Sequence, residues 1–515
     1  MQPPTPSLPG LPAEIIESIL NRLPLVDICS LRLTNRTLSS KTTQDHFKSY
    51  FKTKHVDLTE SALRAFNAVT KDPGSLACSV ENLVLVGVVY NTLLLERVLE
   101  KKSKRVVERM GMMFTASEAK CSEEELDAAA RDLEILTRRK REQDELFERG
   151  GAALLLGRAL ENVRMNGKKG MLKKLNLDVV IYREDAEKRL SAEQGGSWKL
   201  IWKEAARTLE TTLYALSQSR LPLEEMDVFS EVPRCAVARD DVSRAVPGQE
   251  GDEEEIVEGL RTSFESLKAF SISISHRNID EREEDRERME DGADPMTTFL
   301  QAREAATPRD IEVLRAEAAD EQNFEGLARL LQLCEKSVER LDLHQCRLQR
   351  SSLHQRDMCD ERLLQRILEI AKLERLEGAR LRGMFVKADD LRKFLGQSKI
   401  LRQVVLQEMH VTEGDWKGIL QDLTAEKGST GRADVDCILL DDLFERGRLL
   451  YFAGEEDDVP KCPTLCRTRG KNAFIRRGVE DVRREMKYHF ATERMVGSPQ
   501  AAAWREGRTA VYGPP

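Results

Sequence analysis

Aromatic residues make up only 5% of this chain, too few for a platform on which single-stranded bases would stack. A surplus of positive charge is missing too. The 89 acidic residues outnumber the 81 basic ones, for a net charge of -8. That argues against general nucleic-acid binding and leaves room only for a local basic patch. No apolar run reaches the length of a membrane span, so no membrane partner is expected. The opening MQPPTPSLPG has neither a charged start nor an apolar stretch, and a secretory signal is not expected. The 10 cysteines follow no disulfide spacing and are expected as reduced thiols, in the cytoplasm and/or the nucleus.

Motifs that carry chemistry are equally scarce. GKKGML at 167–172 lacks the Gly-Lys-Ser/Thr ending of a phosphate loop. Neither Gly-x-Ser-x-Gly nor His-Glu-x-x-His occurs. Cys462 and Cys466 have no further zinc ligands at a suitable spacing. His344, Cys346, His354 and Cys359 cluster in sequence, yet Cys346 takes an apolar position of the repeat described below. Arg138 to Arg141 read better as a solvated helix face than as a nuclear signal. No catalytic residue, metal or cofactor is expected.

What the chain does have begins at residues 11–38, LPAEIIESILNRLPLVDICSLRLTNRTL. Ile15, Ile16, Ile19, Leu20 and Leu23 recur at helical spacing. Pro12 suits a first turn, and Pro24 stops the helix. Asp27 is placed to cap a second helix carrying Ile28 and Leu31. Thr34 and Asn35 offer a cap for a third, running toward Phe47, Tyr50 and Phe51. Three helices in so short a stretch make a core that is marginal alone.

A second pattern fills the long body, which at 515 residues and 40% hydrophobic content can bury several layers. Val338, Leu341, Leu343, Cys346 and Leu348 follow the order L-x-x-L-x-L-x-x-C-x-L. Leu376, Ala379, Leu381, Met384 and Val386 repeat it, as do Leu401, Val404, Leu406, Met409 and Val411, and most of it returns at Val435, Ile438, Leu440 and Leu443. From 381 to 406 the agreement extends downstream. Asp390 meets Asp415, Leu391 meets Trp416, and Phe394-Leu395 meet Ile419-Leu420. Strand, turn and amphipathic helix thus recur together, in the leucine-rich-repeat order. Weaker copies lie at Val56-Leu58, Val80–Tyr90, Leu172–Tyr182, Leu223–Val228 and Leu267–Ile272, with a helical stripe at Trp198, Trp202, Leu209, Leu213 and Leu216. Such units cannot bury their own faces and must stack.

Four further segments are set apart by composition. Residues 1–10 read as a disordered leader. Residues 100–150 read as one or two charged surface helices with a mobile loop, and 278–295 as a solvated insertion. Residues 454–515 begin acidic, turn basic, and are expected to be mostly disordered.

The stretch at 11–51 resembles the F-box: Leu-Pro, a Glu, spaced Ile/Leu, then Leu-x-x-x-Asp-Ile-x-x-Leu-Arg and Asn-Arg. With the repeats behind it, the chain resembles F-box proteins of the leucine-rich-repeat type. The resemblance implies a mostly helical α/β fold, with a three-helix F-box followed over 52–453 by an irregular solenoid of short parallel strands and helices. It implies a non-catalytic substrate receptor of an SCF ubiquitin ligase. Its partners would be the Skp adaptor, through it the cullin and RING subunits, and an unidentified protein substrate. The alternative is a repeat scaffold that binds proteins outside the ubiquitin pathway. The adaptor would be met by Leu11, Pro12, Ile15, Ile19, Leu23, Leu25, Ile28, Leu31 and Leu33. The family often carries an aromatic residue near the end of the module, where this chain has Thr37-Leu38. The outward strand positions Arg340, Asp342, His344, Arg380, Arg382, Gln403, Gln407, Asp441 and Asp442 are the substrate-facing candidates.

Overall fold

The computed structural model describes residues 7–110, 113–195, 198–246, 253–275, 319–346, 361–425, 434–452 and 474–490. The insertion expected at 278–295, the leader up to residue 6, His354, Cys359, Cys462 and Cys466 lie outside these residues. The fold is mixed α/β with a largely parallel sheet.

Among the described residues four short helices come first: α1 (Ala13–Leu20), α2 (Leu25–Thr34), α3 (Arg36–Lys41) and α4 (Asp45–Ser49). The third expected helix is therefore two. Asn35 caps α3 as its position suggests, its side chain accepting from Thr37 N at 2.7 Å. Asp27 does not cap α2, which already starts at Leu25 behind Pro24; Asp27 sits in the first turn, where a negative charge still faces the positive end of the helix dipole.

A sheet follows whose main path, among the described residues, has nine parallel strands, Thr53–Asp57, Asn82–Tyr90, Leu172–Tyr182, Leu223–Val228, Ala269–Ser275, Arg340–Cys346, Gly378–Arg382, Gln403–Gln407 and Cys437–Asp441, with the short Val237–Ala238 pairing parallel off that path. Each of the nine neighbours the next of them. Their register is set by apolar residues that alternate with polar ones and so share a face. Val56, Leu85, Leu177, Val228, Ile272, Leu343, Leu381, Leu406 and Leu440 stand opposite one another across the whole sheet, all buried. Helices between the strands cover that face. Those at Glu60–Thr70, Gly151–Asn166, Trp198–Ser219, Glu253–Phe264, Gln322–Cys334, Arg362–Ile370, Ala388–Gln397 and Trp416–Thr424 pack side by side in that order.

The last three parallel strands end alike. The residue just past each strand, Gly383, Glu408 or Asp442, takes a left-handed backbone, which turns the chain so that Met384, Met409 and Leu443 bury. Phe385, His410 and Phe444 then pair in a second sheet, where the His410 ring is stacked on that of Phe444, centroids 4.3 Å apart and planes nearly parallel. The matched Asp390 and Asp415 part company. Asp415 caps its helix through Gly418 N at 3.2 Å, whereas Asp390 lies inside the first turn of Ala388–Gln397.

Two stretches differ from expectation. Within 100–150, an antiparallel hairpin (Ser103–Met110 with Met113–Lys120) precedes a 26-residue helix, Glu123–Glu148. That helix opens on a Ser122/Glu125 capping box and buries Ala129, Leu136, Gln143 and Leu146 along one stripe, leaving most of its charged residues exposed. Within the tail, Phe474–Arg477 pairs antiparallel with Cys437–Asp441, and Tyr488–Phe490 pairs with Arg448–Phe452. The chain's own later residues thereby cover the edge of Cys437–Asp441 and make the four-residue strand Phe474–Arg477 the last of the sheet.

Candidate docking surfaces

The four N-terminal helices close on Ile16, Leu20, Ile28, Leu38 and Phe47, with Leu11, Leu23, Leu25, Leu31 and Phe51 partly buried around them. Polar ties hold the small core. Glu17 Oε1 accepts from His46 N at 2.7 Å, which fastens α1 to α4. Lys41 Nζ donates to Pro9 O and Leu11 O at 2.8 and 2.7 Å, which fastens α3 to the entering chain. The Arg32 guanidinium lies 4.1 Å from the centre of the Phe47 ring, a cation–π contact.

This core takes some apolar side chains of the module inward and leaves others in water. Ile15 is 49% exposed, Val26 74% and Leu33 89%. Val26 and Leu33 are seven residues apart on α2, two turns along one face. Of the adaptor-facing candidates, Pro12, Ile15 and Leu33 are exposed. Leu11, Ile19, Leu23, Leu25 and Leu31 are half-buried. Ile28 is sealed in the module's own core and has no surface to offer. Sequence reasoning passed over Val26 and the exposed Leu8, although the i, i+7 spacing of Val26 and Leu33 carried the signal.

The sheet face opposite the long helices carries an apolar cluster of Val84, Val86, Val88, Tyr90, Val180 and Tyr182 on its earlier strands and is mainly polar over the strands that bear the candidates below. The nine substrate-facing candidates were expected in water, and three are not: Asp342, His344 and Arg382 are buried. Arg382 grips Asp342 with two bonds, Nε to Oδ1 at 3.0 Å and Nη2 to Oδ2 at 2.9 Å. Its Nη2 also donates to Ser230 O at 3.1 Å. Ser230 sits in the turn after Leu223–Val228, which reaches over two strands to arrive there. Phe229 starts that turn with a left-handed backbone, and Asp227 Oδ1 accepts from Ser230 N at 2.8 Å. Burial pushes the Asp342 carboxyl above the usual range, although the Arg382 and Arg380 guanidiniums oppose it. Burial likewise raises Asp227 against the bonds from Ser230. His344 Nδ1 lies 2.9 Å from Ser273 Oγ.

The other six candidates keep contact with solvent. Arg340 and Gln403 are exposed, and Arg380, Gln407, Asp441 and Asp442 are half-buried. Arg340 pairs with Glu225 at 2.9 Å. Arg380 reaches Asp342 and Glu231, each at 3.3 Å, and Gln407 at 3.2 Å. The strand register brings Arg340, Gln403 and Cys437 into one row and His344, Arg382, Gln407 and Asp441 into another. Among the described residues, no three His, Cys, Asp or Glu side chains are placed to hold a metal ion, and no helix is long and apolar enough to cross a membrane.

Residues 8–50 match the family model of the F-box domain. No match is found among curated proteins.

Proposed function

We propose, from the premise that residues 8–50 are an F-box domain, that this chain is a non-catalytic receptor subunit of an SCF-type ubiquitin ligase. The observation that carries this reading is that Ile15, Val26 and Leu33 are left in water on the matched helices. Exposed aliphatic side chains concentrated on one small module mark a docking face. Pro12 and the half-buried Leu11, Ile19, Leu23, Leu25 and Leu31 would complete the contact with the Skp adaptor, while Ile28 would support it from beneath. The adaptor in turn would connect the chain to cullin and RING subunits.

In this reading residues 11–51 are the F-box and residues 52–453 an irregular leucine-rich-repeat solenoid that holds a protein substrate. Support comes from the aligned row of nine apolar strand residues and from the left-handed position that recurs at Gly383, Glu408 and Asp442. Arg340, Arg380, Gln403, Gln407, Asp441 and Asp442 are the part of the polar face within a partner's reach. Asp342, His344 and Arg382 would shape it from below. The chain would act by proximity, raising the effective concentration of substrate lysines at a ubiquitin-loaded enzyme.

The test is capture of purified Skp adaptor by the full-length chain. Val26→Asp with Leu33→Asp should weaken binding at least a hundredfold and leave the thermal melt unchanged, because both side chains already face water. Undiminished capture by that double variant would overturn the reading. Co-purification of cullin with the adaptor separates a ligase receptor from a scaffold working outside the ubiquitin pathway.

A further inference from the structure

From residue 162 to residue 177 the sequence carries Arg164, Lys168, Lys169, Lys173 and Lys174 and not one acidic residue, on a chain of net charge -8. Among the described residues none of these cations stands in an ion pair. Lys174 lies opposite Glu225 in the sheet, and Lys173 sits beside Glu81, whose carbonyl accepts from Lys173 N at 2.8 Å. The other three, Arg164, Lys168 and Lys169, gather where the helix Gly151–Asn166 ends.

That end lies level with the end of the helix Glu60–Thr70. Asn162 Nδ2 donates to Asn67 Oδ1 at 2.9 Å, and Asn166 Nδ2 donates to Thr70 O and Lys71 O at 3.0 and 3.1 Å. Lys71, Lys168 and Lys169 are exposed there, and Arg164 is half-buried, its Nε without an acceptor. Two apolar side chains stand in water at the same helix ends: Val69 is 47% exposed and Met165 69%. The loop that bears the lysines is tight. Gly170 has a left-handed backbone, and a Cβ at Gly167 would lie 2.4 Å from Val163 O and 3.1 Å from Cys78 O. Acids are fewer. Asp72 follows Lys71, Glu161 precedes Met165 by one turn, and Glu81 is held by Lys52 at 3.3 Å. Lys71, Arg164, Lys168 and Lys169 against Asp72 and Glu161 leave the patch positive. The helix dipole favours cations at a carboxyl end, but it gives no reason for exposed apolar side chains among them.

We propose that this patch is a docking site for an acidic protein segment carrying one apolar anchor. Met165 and Val69 take the anchor, the flexible thioether adapting to its shape. Lys71, Lys168 and Lys169 draw the carboxylates around it, as point charges on flexible stems and not as fixed forks. A membrane is the poorer fit, because an anionic bilayer repels a chain of net charge -8 over a wide area, whereas a short segment meets the patch alone. The patch lies on helix ends and a loop, apart from the strand positions that the receptor reading gives to the substrate. It therefore calls for a further partner and stands whether or not that reading does.

The test is fluorescence anisotropy on the full-length chain with a labelled peptide of order Asp-Glu-Leu-Glu-Asp-Glu. Two controls accompany it: Lys-Lys-Leu-Lys-Lys-Lys, which reverses the charge, and Asp-Glu-Ser-Glu-Asp-Glu, which removes the anchor. Only the first should bind, and less tightly as salt is raised. Lys168→Glu with Lys169→Glu, and separately Met165→Gln, should each weaken it at least tenfold with the melting temperature held, because all three side chains already face water. Equal binding of a control, or unaltered binding by these folded variants, overturns the proposal. So does flotation with phosphatidylserine vesicles that the lysine substitutions abolish while the peptide goes unbound. The Val26→Asp, Leu33→Asp variant should bind the peptide normally. Selective peptide binding without adaptor capture would therefore sink the receptor reading and spare this patch, and adaptor capture without selective peptide binding would do the reverse.

Discussion

Glu204 is a carboxyl fully out of water in the helix Trp198–Ser219. Burial pushes its pKa up to about 8, with Arg207 and the Val88 backbone pulling it back. Gln143 Nε2 bridges it to Val88 O, at 3.2 and 2.8 Å, and so pins the charged helix Glu123–Glu148 to the sheet. A folded-state pKa above the unfolded value of about 4.3 means that the native state holds the extra proton. Stability from this site is therefore full below pH 4 and declines as pH rises toward 8. Glu204→Gln should abolish that slope and raise the melting temperature more at pH 8 than at pH 5. Beside it, Gly87 leaves no room for a side chain, since a Cβ there would lie 2.3 Å from Thr208 Oγ1. Asp342 poses the opposite case. Asp342→Asn leaves buried Arg382 with only the exposed Glu231, 4.0 Å away, as counter-charge and should cost about 3–5 kcal/mol in chemical denaturation, whereas Asp342→Leu with Arg382→Met should cost far less.

At the scale of elements, the helices touch through glycine. A Cβ at Gly326 would lie 2.4 Å from the Ser243 backbone, and one at Gly259 would lie 2.1 Å from Ser217 O, whereas one at Gly157 would lie 3.7 Å from its nearest neighbours. Gly326→Ala and Gly259→Ala should thus destabilise by about 1–3 kcal/mol. Gly157→Ala, in the helix Gly151–Asn166, should stabilise by about 0.5–1 kcal/mol through helix propensity. Calorimetry on the three variants checks the sign as well as the size. Elements of this kind were partly legible in the sequence. The anchors at 343, 381, 406 and 440 could be read because a half-buried strand needs only alternate apolar residues, and the register later aligned them. The facing of α1 could not be read from periodicity alone. Ile15 and Ile16 are adjacent and chemically alike, and packing against Ile28 and Phe47 decides that Ile16 goes in. Nor could the turn at Phe229–Ser230, whose contact with Arg382 joins residues 152 apart in sequence. The hairpin at 103–120 was hidden by its charges, which mask the alternation that marks a strand.

The molecule as a whole is a row of modules closed at its end by the residues 474–490. A chain ending at residue 473 would bare the backbone of Cys437–Asp441 along one edge, and it should aggregate at concentrations where the full chain stays monodisperse in light scattering. The row also has a mechanical consequence. Each of the nine parallel strands of the main path bonds to the next of the nine, so a pull along the stack loads the backbone bonds of one interface at a time. In an optical trap the sheet should peel unit by unit at low, nearly even tension, lengthening in steps of a few tens of residues, instead of holding and then giving way at once.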